Sequence, residues 1–202
     1  MDQVPSVEYG KVSETVQRVR GNTTRLRIAF VYDCVFPFMK GGGERMIAQL
    51  AQELRSRHEI HIFGMKFWHG PWRQDISENL TLHGVCPAFA MHELKRRSIF
   101  QALWFTLWLP FTLLKAGRFD IVNCMSIPFF PVFVLRPLCW ITRSRLVVTW
   151  LEFWRGHWKE YLRFGAGIAR RIERLAARLS PHIIAISHHT RDGLVQIGIP
   201  EE

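Results

Sequence analysis

The sequence predicts an α/β domain in which helices cover both faces of one mainly parallel, doubly wound sheet. Short runs rich in β-branched and aromatic residues alternate along the chain with stretches in which apolar residues recur at helical spacing. Strands that are separated by helices favour parallel pairing through right-handed crossovers. The composition agrees, because 48% of the 202 residues are hydrophobic and 22% are charged, as in chains that form a packed core.

Six strands are predicted, each a short apolar run. They lie at residues 26–32, 59–64, 80–85, 119–124, 145–150 and 182–187. The second strand is expected to close at Gly64. Together they predict one domain over residues 25–202. Residues 1–24 are polar and mixed in charge, which predicts a disordered leader rather than a signal peptide.

Two amphipathic helices flank this series of strands. One is predicted at residues 44–57, because its apolar residues fall on one stripe: Met46, Ile47, Leu50, Ala51 and Leu54. The other precedes the last strand and is expected to bury Ile168, Ile172, Leu175 and Leu179. Its polar side carries four arginines, for which a solvated face and an anionic lipid surface both remain open: Arg170, Arg171, Arg174 and Arg178.

The net charge of +10 predicts an anionic partner, which could be nucleic acid, anionic lipid or a phosphorylated substrate. No nucleic-acid-binding module is visible, so nucleic acid is not expected. The four cysteines form no C-x-x-C pair, and this spacing argues against a disulfide framework or a metal site. A reducing, cytoplasmic location follows.

Three consecutive glycines, Gly41, Gly42 and Gly43, follow the first predicted strand. Ligands of open parallel sheets bind beyond the carboxyl ends of the strands. Glycine permits positive φ and close approach of a ligand, and the helix behind offers unpaired N–H groups to phosphate. The spacing matches neither the dinucleotide fingerprint nor the P-loop. A phosphate site and a flexible loop therefore both remain open.

A longer motif surrounds these glycines. The pattern P-x-x-x-G-G-G-E-R-x-x-x-x-L-A-x-x-L, from Pro37 to Leu54, resembles the opening of family 4 glycosyltransferases of the GT-B fold. The segments RFDIVNC, VVTWLEFWRGHWKEYL and PHIIAISHHTRDGLVQIGIPEE resemble later parts of that family, in the expected order. The resemblance covers the chain from about Arg25 to its last residue.

The resemblance implies a Rossmann-like domain that forms one half of a GT-B fold. Members transfer a sugar from a nucleotide-activated donor, here a hexosyltransferase reaction of polysaccharide or glycolipid synthesis, generally without a metal ion or another cofactor. The glycine loop would face the cleft between two domains. The substrate-binding residues expected on this basis are Gly41, Gly42, Gly43, Glu44, Ser187 and His188.

Two departures from the family pattern concern catalysis. Leu151 occupies the apparent position of a family histidine, and leucine cannot exchange protons. Glu152 and His157 are then the candidates for catalysis, although Glu152 could equally cap a loop. The second, donor-binding domain is expected to be absent. The chain alone is therefore predicted to be inactive, with a separate donor-binding domain as a partner.

Other polar candidates have structural explanations. Ser187 can act as the N-cap of the last helix without any substrate. His58 and His61 have metal-like spacing, but on a strand this spacing places them on opposite faces, which predicts surface histidines.

Residues 98–114 carry no charge and are followed by a second apolar stretch. The run is shorter than the ~20 residues of a membrane span, and Pro110 interrupts it. Basic residues flank it on both sides, and all eight tryptophans lie between Trp68 and Trp158. A core helix explains part of this run. The excess of aromatic and basic residues predicts peripheral attachment to an anionic membrane surface.

Three functions remain open at this point. The first is the acceptor half of a membrane-associated glycosyltransferase acting on a glycan or lipid-linked acceptor. The second is a non-catalytic partner subunit of a split transferase. The third is a small integral membrane protein, against which the alternation of strands and helices argues.

Overall fold

The computed structural model describes residues 24–88, 99–154, 158 and 165–200. The predicted leader, except Thr24, and His157 lie outside these residues. The strands are β1 Arg27–Val31, β2 Glu59–Lys66, β3 Arg73–Ser77, β4 Leu80–Pro87, β5 Ile121–Met125, β6 Arg145–Trp150 and β7 Ile183–Ala185. The helices described are α1 Gly42–Leu54, α2 Ile99–Ala116, α3 Phe130–Thr142, α4 Ala166–Leu179 and α5 His188–Gln196.

The strands form one sheet in the order β3-β4-β2-β1-β5-β6-β7. Every neighbouring pair is parallel except β3 and β4. The predicted α/β class with a mainly parallel sheet is confirmed. Because the helices return the chain between parallel strands, the carboxyl ends of β1, β5 and β6 meet at one edge of the sheet.

One strand was not predicted, and one strand end is corrected. β3 is an antiparallel edge strand with a largely polar sequence, so it lacks the apolar pattern of a buried strand. Asn79, at positive φ, lies in the short connection between β3 and β4. Gly64 does not close β2 but lies inside it, where a Cβ atom would overlap with Val35.

The two faces of the sheet are covered differently. α1 packs on one face through Ile47 and Ala51, against Ile28 and Ile60. Helices α2, α3 and α4 belong to the larger core on the other face, which contains Phe63, Val122 and Val148 together with buried residues from each helix: Phe105, Leu109, Val132, Leu135, Ala176 and Ala177. This is the three-layer arrangement expected of a doubly wound sheet.

The predicted buried stripe of α4 is partly wrong. Ile168 is 65% exposed and Leu175 is 51% exposed, whereas Ala176 and Ala177 are buried. The helix turns its small residues toward the core, since alanines let it pack closely, and it leaves two large apolar side chains outside. Leu50 of α1 is also exposed.

Helix α2 is apolar on its buried side and on its outer side. It continues through Pro110, which was expected to interrupt it. Among the described helices it is the one whose length and apolar composition would permit a membrane crossing, and a third of it is buried in the protein. One side packs into the core while the other side exposes large apolar residues.

The histidine prediction is wrong for His61, which is buried on the α2 side of the sheet. Its Nδ1 lies 2.8 Å from Nε2 of His83, and its Nε2 lies 2.8 Å from Oε1 of Glu59. Burial lowers the pKa of both imidazoles, and that of His83 falls to about 4. Both rings are therefore neutral near pH 7 and pack as part of the core. His58 is half-buried, with Nδ1 accepting from the Leu26 N–H.

Candidate functional site

The start of α1 lies at the carboxyl edge of the sheet. Gly41 is the N-cap, with extended backbone angles, and the helix begins at Gly42. None of Gly41, Gly42 and Gly43 is among the glycines of positive φ in the described chain. The positive φ that glycine permits is therefore not used here, and another property of glycine must explain the motif.

That property is close approach, and it differs between the three glycines. A Cβ atom on Gly43 would lie 3.0 Å from Cδ1 of Leu151 and 3.2 Å from the Tyr32 ring. Tyr32 follows β1 and Leu151 follows β6, so Gly43 lets the helix start press against the ends of two strands. A Cβ atom on Gly42 would meet nothing within 4 Å. Gly42 thus borders open space that a ligand can enter.

Glu44 occupies the third position of the helix and is buried. Its carboxylate folds back over Gly41, because a Cβ atom on Gly41 would overlap with Oε2 of Glu44. A carboxylate here stabilises the positive end of the helix, as in a capping box. It also offsets part of the positive potential that a phosphate would use. Glu44 is therefore suited to accept a hydroxyl hydrogen rather than to bind an anion.

The segment after β6 is held by a residue that the sequence analysis missed. Glu173 of α4 is buried, and its Oε1 and Oε2 accept hydrogen bonds of 2.8 Å from the Trp154 backbone N–H and the Trp158 indole. Burial raises the pKa of this carboxyl. Glu173 is the single acidic residue in an arginine-rich helix, and this was the only signal of its role.

Glu152 is exposed at the carboxyl end of β6, and the next residue, Phe153, packs against Gly193 of α5. This places the candidate carboxylate at the same edge of the sheet as the glycine loop. Whether it acts as a base or caps a loop stays a prediction. His157 lies outside the described residues.

Ser187 is the N-cap of α5, as predicted. Its Oγ accepts from the Thr190 backbone N–H at 3.1 Å. The Thr190 hydroxyl in turn donates to the Leu151 carbonyl at 3.4 Å, so Leu151 contacts the starts of both α1 and α5. A cleft of about 650 Å³ borders Ser187, His188 and Arg191. The ligand roles of Ser187 and His188 stay predictions.

Among the described residues, no group of three or more His, Cys, Asp or Glu side chains could hold a metal ion. The cysteines described are all buried and none forms a disulfide. Burial raises the pKa of the Cys86 and Cys139 thiols to about 12, so neither is a thiolate at neutral pH.

Residues 40–202 match the sequence profile of Glycosyltransferase Family 4. The chain belongs to glycosyltransferase family 4. The matched region contains the glycine loop, the segment after β6 and the start of α5. No curated protein sequence matches the chain.

Solved structures with a similar fold are glycosyltransferases. Sucrose-phosphate synthase (tll1590) from Thermosynechococcus elongatus is 14% identical, with a TM-score of 0.61 over 85% of this chain and 45% of its own. Anabaena Alr3699/HepE in complex with UDP and glucose is 14% identical, with a TM-score of 0.52 over 87% of this chain and 42% of its own. The catalytic domain of Starch Synthase IV from Arabidopsis thaliana, bound to ADP and acarbose, is 18% identical, with a TM-score of 0.50 over 64% of this chain and 34% of its own. At these identities the likeness shows the fold, and the chain spans less than half the length of each.

The geometry around the glycines predicts that two neighbouring glycine variants differ in stability. Gly43→Ala should lower the free energy of unfolding by about 1–3 kcal/mol, because its Cβ crowds Leu151 and Tyr32. Gly42→Ala is the matched control and should be neutral or stabilising by up to about 1 kcal/mol, because its Cβ points into open space at a helical position. Urea unfolding measures both. Equal destabilisation by the two variants would contradict the close-approach explanation.

Proposed function

We propose that this chain is the acceptor-binding half of a family 4 glycosyltransferase. It would help to move a sugar from a nucleotide-sugar donor to a glycan or lipid-linked acceptor at a membrane surface, without a metal ion or another cofactor. The observation that carries the proposal is the start of α1, where Gly42 borders open space at the carboxyl edge of a family 4 sheet.

The helix start offers one wall of a diphosphate site. The first N–H groups of α1 have no partner within the helix, and its dipole favours an anion nearby. Gly42 leaves room for a phosphate to approach the backbone. Glu44 offsets part of the dipole. The site is therefore suited to a phosphate ester whose negative charge is also balanced by groups on a second, opposite wall.

The acceptor side of the proposal rests on the residues that follow β6. Glu152 is exposed beside Leu151, and Leu151 cannot take the part of a proton-exchanging histidine. We therefore assign to Glu152 the contact with an acceptor hydroxyl, supported by His157. Ser187 and His188, at the start of α5, would contact the same substrates.

The other wall is proposed to come from a donor-binding domain. Family 4 catalysis brings a nucleotide sugar and an acceptor into one geometry, and such positioning can supply ~7–11 kcal/mol of barrier reduction. The three similar structures are more than twice as long as the region that this chain covers, and two of them contain ADP with acarbose and UDP with glucose. One wall without the other would bind a donor weakly and would not orient it.

The membrane part of the proposal rests on the outer faces of α2, α3 and α4. Large apolar side chains are exposed there: Ile99, Phe100, Leu103, Leu107, Trp108, Phe111, Leu114, Trp140, Ile141, Ile168 and Leu175. The basic residues of the same helices are Lys115, Arg136, Arg170, Arg171, Arg174 and Arg178, and their one acidic residue, Glu173, is buried. Exposed apolar area with cations and no exposed acid suits the headgroup region of anionic lipid. The location proposed is therefore cytoplasmic and peripheral to the membrane.

The 202-residue chain by itself should transfer no sugar, and it should bind UDP- or GDP-sugars no more tightly than a Kd of about 1 mM. The reason is that α1 supplies only one side of the phosphate site. Calorimetry and a turnover assay measure the two quantities. Micromolar donor binding or measurable transfer by this chain would show that the site is complete and would contradict the proposal. If a donor-binding domain restores transfer, Gly42→Val should lower it by at least tenfold through blocked phosphate approach.

The chain should float with anionic liposomes but not with neutral ones, and salt should weaken the attachment because it shortens the electrostatic reach to ~10 Å at 0.1 M. Replacing Arg171 and Arg178 of α4 with glutamine should weaken binding about thirtyfold, since each cation near an anionic surface contributes about 1 kcal/mol.

The matched control replaces Arg45 and Arg57 with glutamine. These are two exposed arginines in and after α1, on the opposite face of the sheet. Flotation of this double variant should stay within about twofold of the parent, because its arginines lie away from the proposed membrane surface. Equal losses in the two double variants would mean that net charge alone, rather than the α2–α4 face, drives attachment.

A further inference from the structure

A cleft of about 650 Å³ lies between β4 and α2, at the β3 edge of the sheet and away from the glycine loop. Its volume is within the range of small-molecule sites, ~300–1,000 Å³. Neither the family assignment nor the proposed sugar transfer gives this cleft a role. One of its walls is aromatic, and its ends differ in charge.

Three aromatic side chains of α2 form one apolar wall: Trp104, Trp108 and Phe111. Trp72, which is 51% exposed, borders the cleft where β3 begins. Its ring packs on Gly84 and lies 5.4 Å from the Lys66 Nζ, on the face of β4 opposite to His83. On α2, Trp104 and Trp108 meet edge to face with centroids 5.9 Å apart. The result is a preformed slot with one aromatic wall, which opens to solvent.

The two ends of the slot differ because α2 runs opposite to β4. Trp104 therefore lies toward Pro87, at the apolar end, and Lys115 lies toward His83 at the other end. Arg73 also lines the cleft and pairs with His83 across the β3–β4 ladder.

Charge at the second end is positive. Lys115 and Arg73 are both exposed, and none of the described lining residues is acidic. Asp75 forms an ion pair with Arg73, with 3.4 Å between oxygen and nitrogen, and accepts from the Thr81 hydroxyl at 2.8 Å. Lys115 is therefore the main source of the net positive charge at this end. His83 is neutral near pH 7, because burial lowers its pKa to about 4, so it offers a hydrogen bond rather than a charge.

We infer that this cleft binds a single-chain lipid with an anionic headgroup, its hydrocarbon chain along the α2 aromatic side chains and its headgroup between Arg73 and Lys115. The apolar wall of α2 suits a hydrocarbon chain, and the positive charge at one end fixes the direction in which an amphiphile enters. The slot opens beside the outer face of α2, so a lipid can reach it from the same side as the proposed membrane surface. The inference is independent of sugar transfer.

The test uses the whole chain, with dodecyl phosphate as the probe and dodecyl maltoside as the neutral-head comparison, both below their micelle concentrations. Calorimetry should give one equivalent of dodecyl phosphate and binding at least tenfold weaker for the maltoside. Lys115→Gln should weaken dodecyl phosphate binding about tenfold through loss of a charged contact, whereas Arg118→Gln, which changes an exposed arginine outside the slot, should stay within twofold.

A second pair of variants tests the slot itself. Thr112→Trp should fill the cleft and abolish binding, while Leu107→Trp, at an exposed position of α2 outside the lining, should preserve it. Circular dichroism confirms the fold of each variant. Several equivalents of probe, equal binding of the two probes, or equal losses within either pair would overturn the inference. Because the assay contains neither nucleotide sugar nor vesicles, its failure would leave the proposed transferase function standing.

Discussion

The contact of Gly43 with Tyr32 and Leu151 fixes the geometry of the candidate site. At this point a helix start meets the ends of β1 and β6 at a distance that excludes a side chain. Any larger residue would push α1 away from Tyr32 and Leu151. The glycine motif thus acts through packing at Gly43 and through open space at Gly42, two different physical effects in adjacent residues.

A second set of contacts holds the loops around this point. The Leu151 carbonyl accepts from Thr190, which also takes part in the N-cap of α5. Glu173 reaches from α4 to Trp154 and Trp158 and orders the segment that carries Glu152. Removing this carboxylate would leave a buried indole N–H and a backbone N–H without their acceptor, which is costly in a desolvated site. The site therefore depends on a residue that no substrate need touch.

The larger part of the fold was predictable because parallel strands buried on both faces are short apolar runs separated by helices. β3 was not, since one side of an edge strand faces water and its sequence stays polar. Ser187 was identified correctly because an N-cap depends on local hydrogen bonding alone. Ile168 and Leu175 were placed wrongly because periodicity defines a stripe but not whether that stripe or a neighbouring alanine stripe faces the core. The burial of His61 and of Glu173 depends on residues distant in sequence, His83 and Trp154, and no spacing rule connects them.

The most direct test of the phosphate wall is an amide ¹⁵N–¹H spectrum of the whole chain, recorded as UDP is added to several millimolar. The account predicts that the largest shift changes occur at Gly41 and Gly42 and at the start of α5, Ser187 and His188. They should approach saturation only at millimolar concentration or above, since one helix start without the opposite wall binds phosphate weakly. Unchanged Gly42 and Ser187 amides, with shifts located elsewhere in the protein, would contradict the claim that this edge of the sheet receives the donor phosphates.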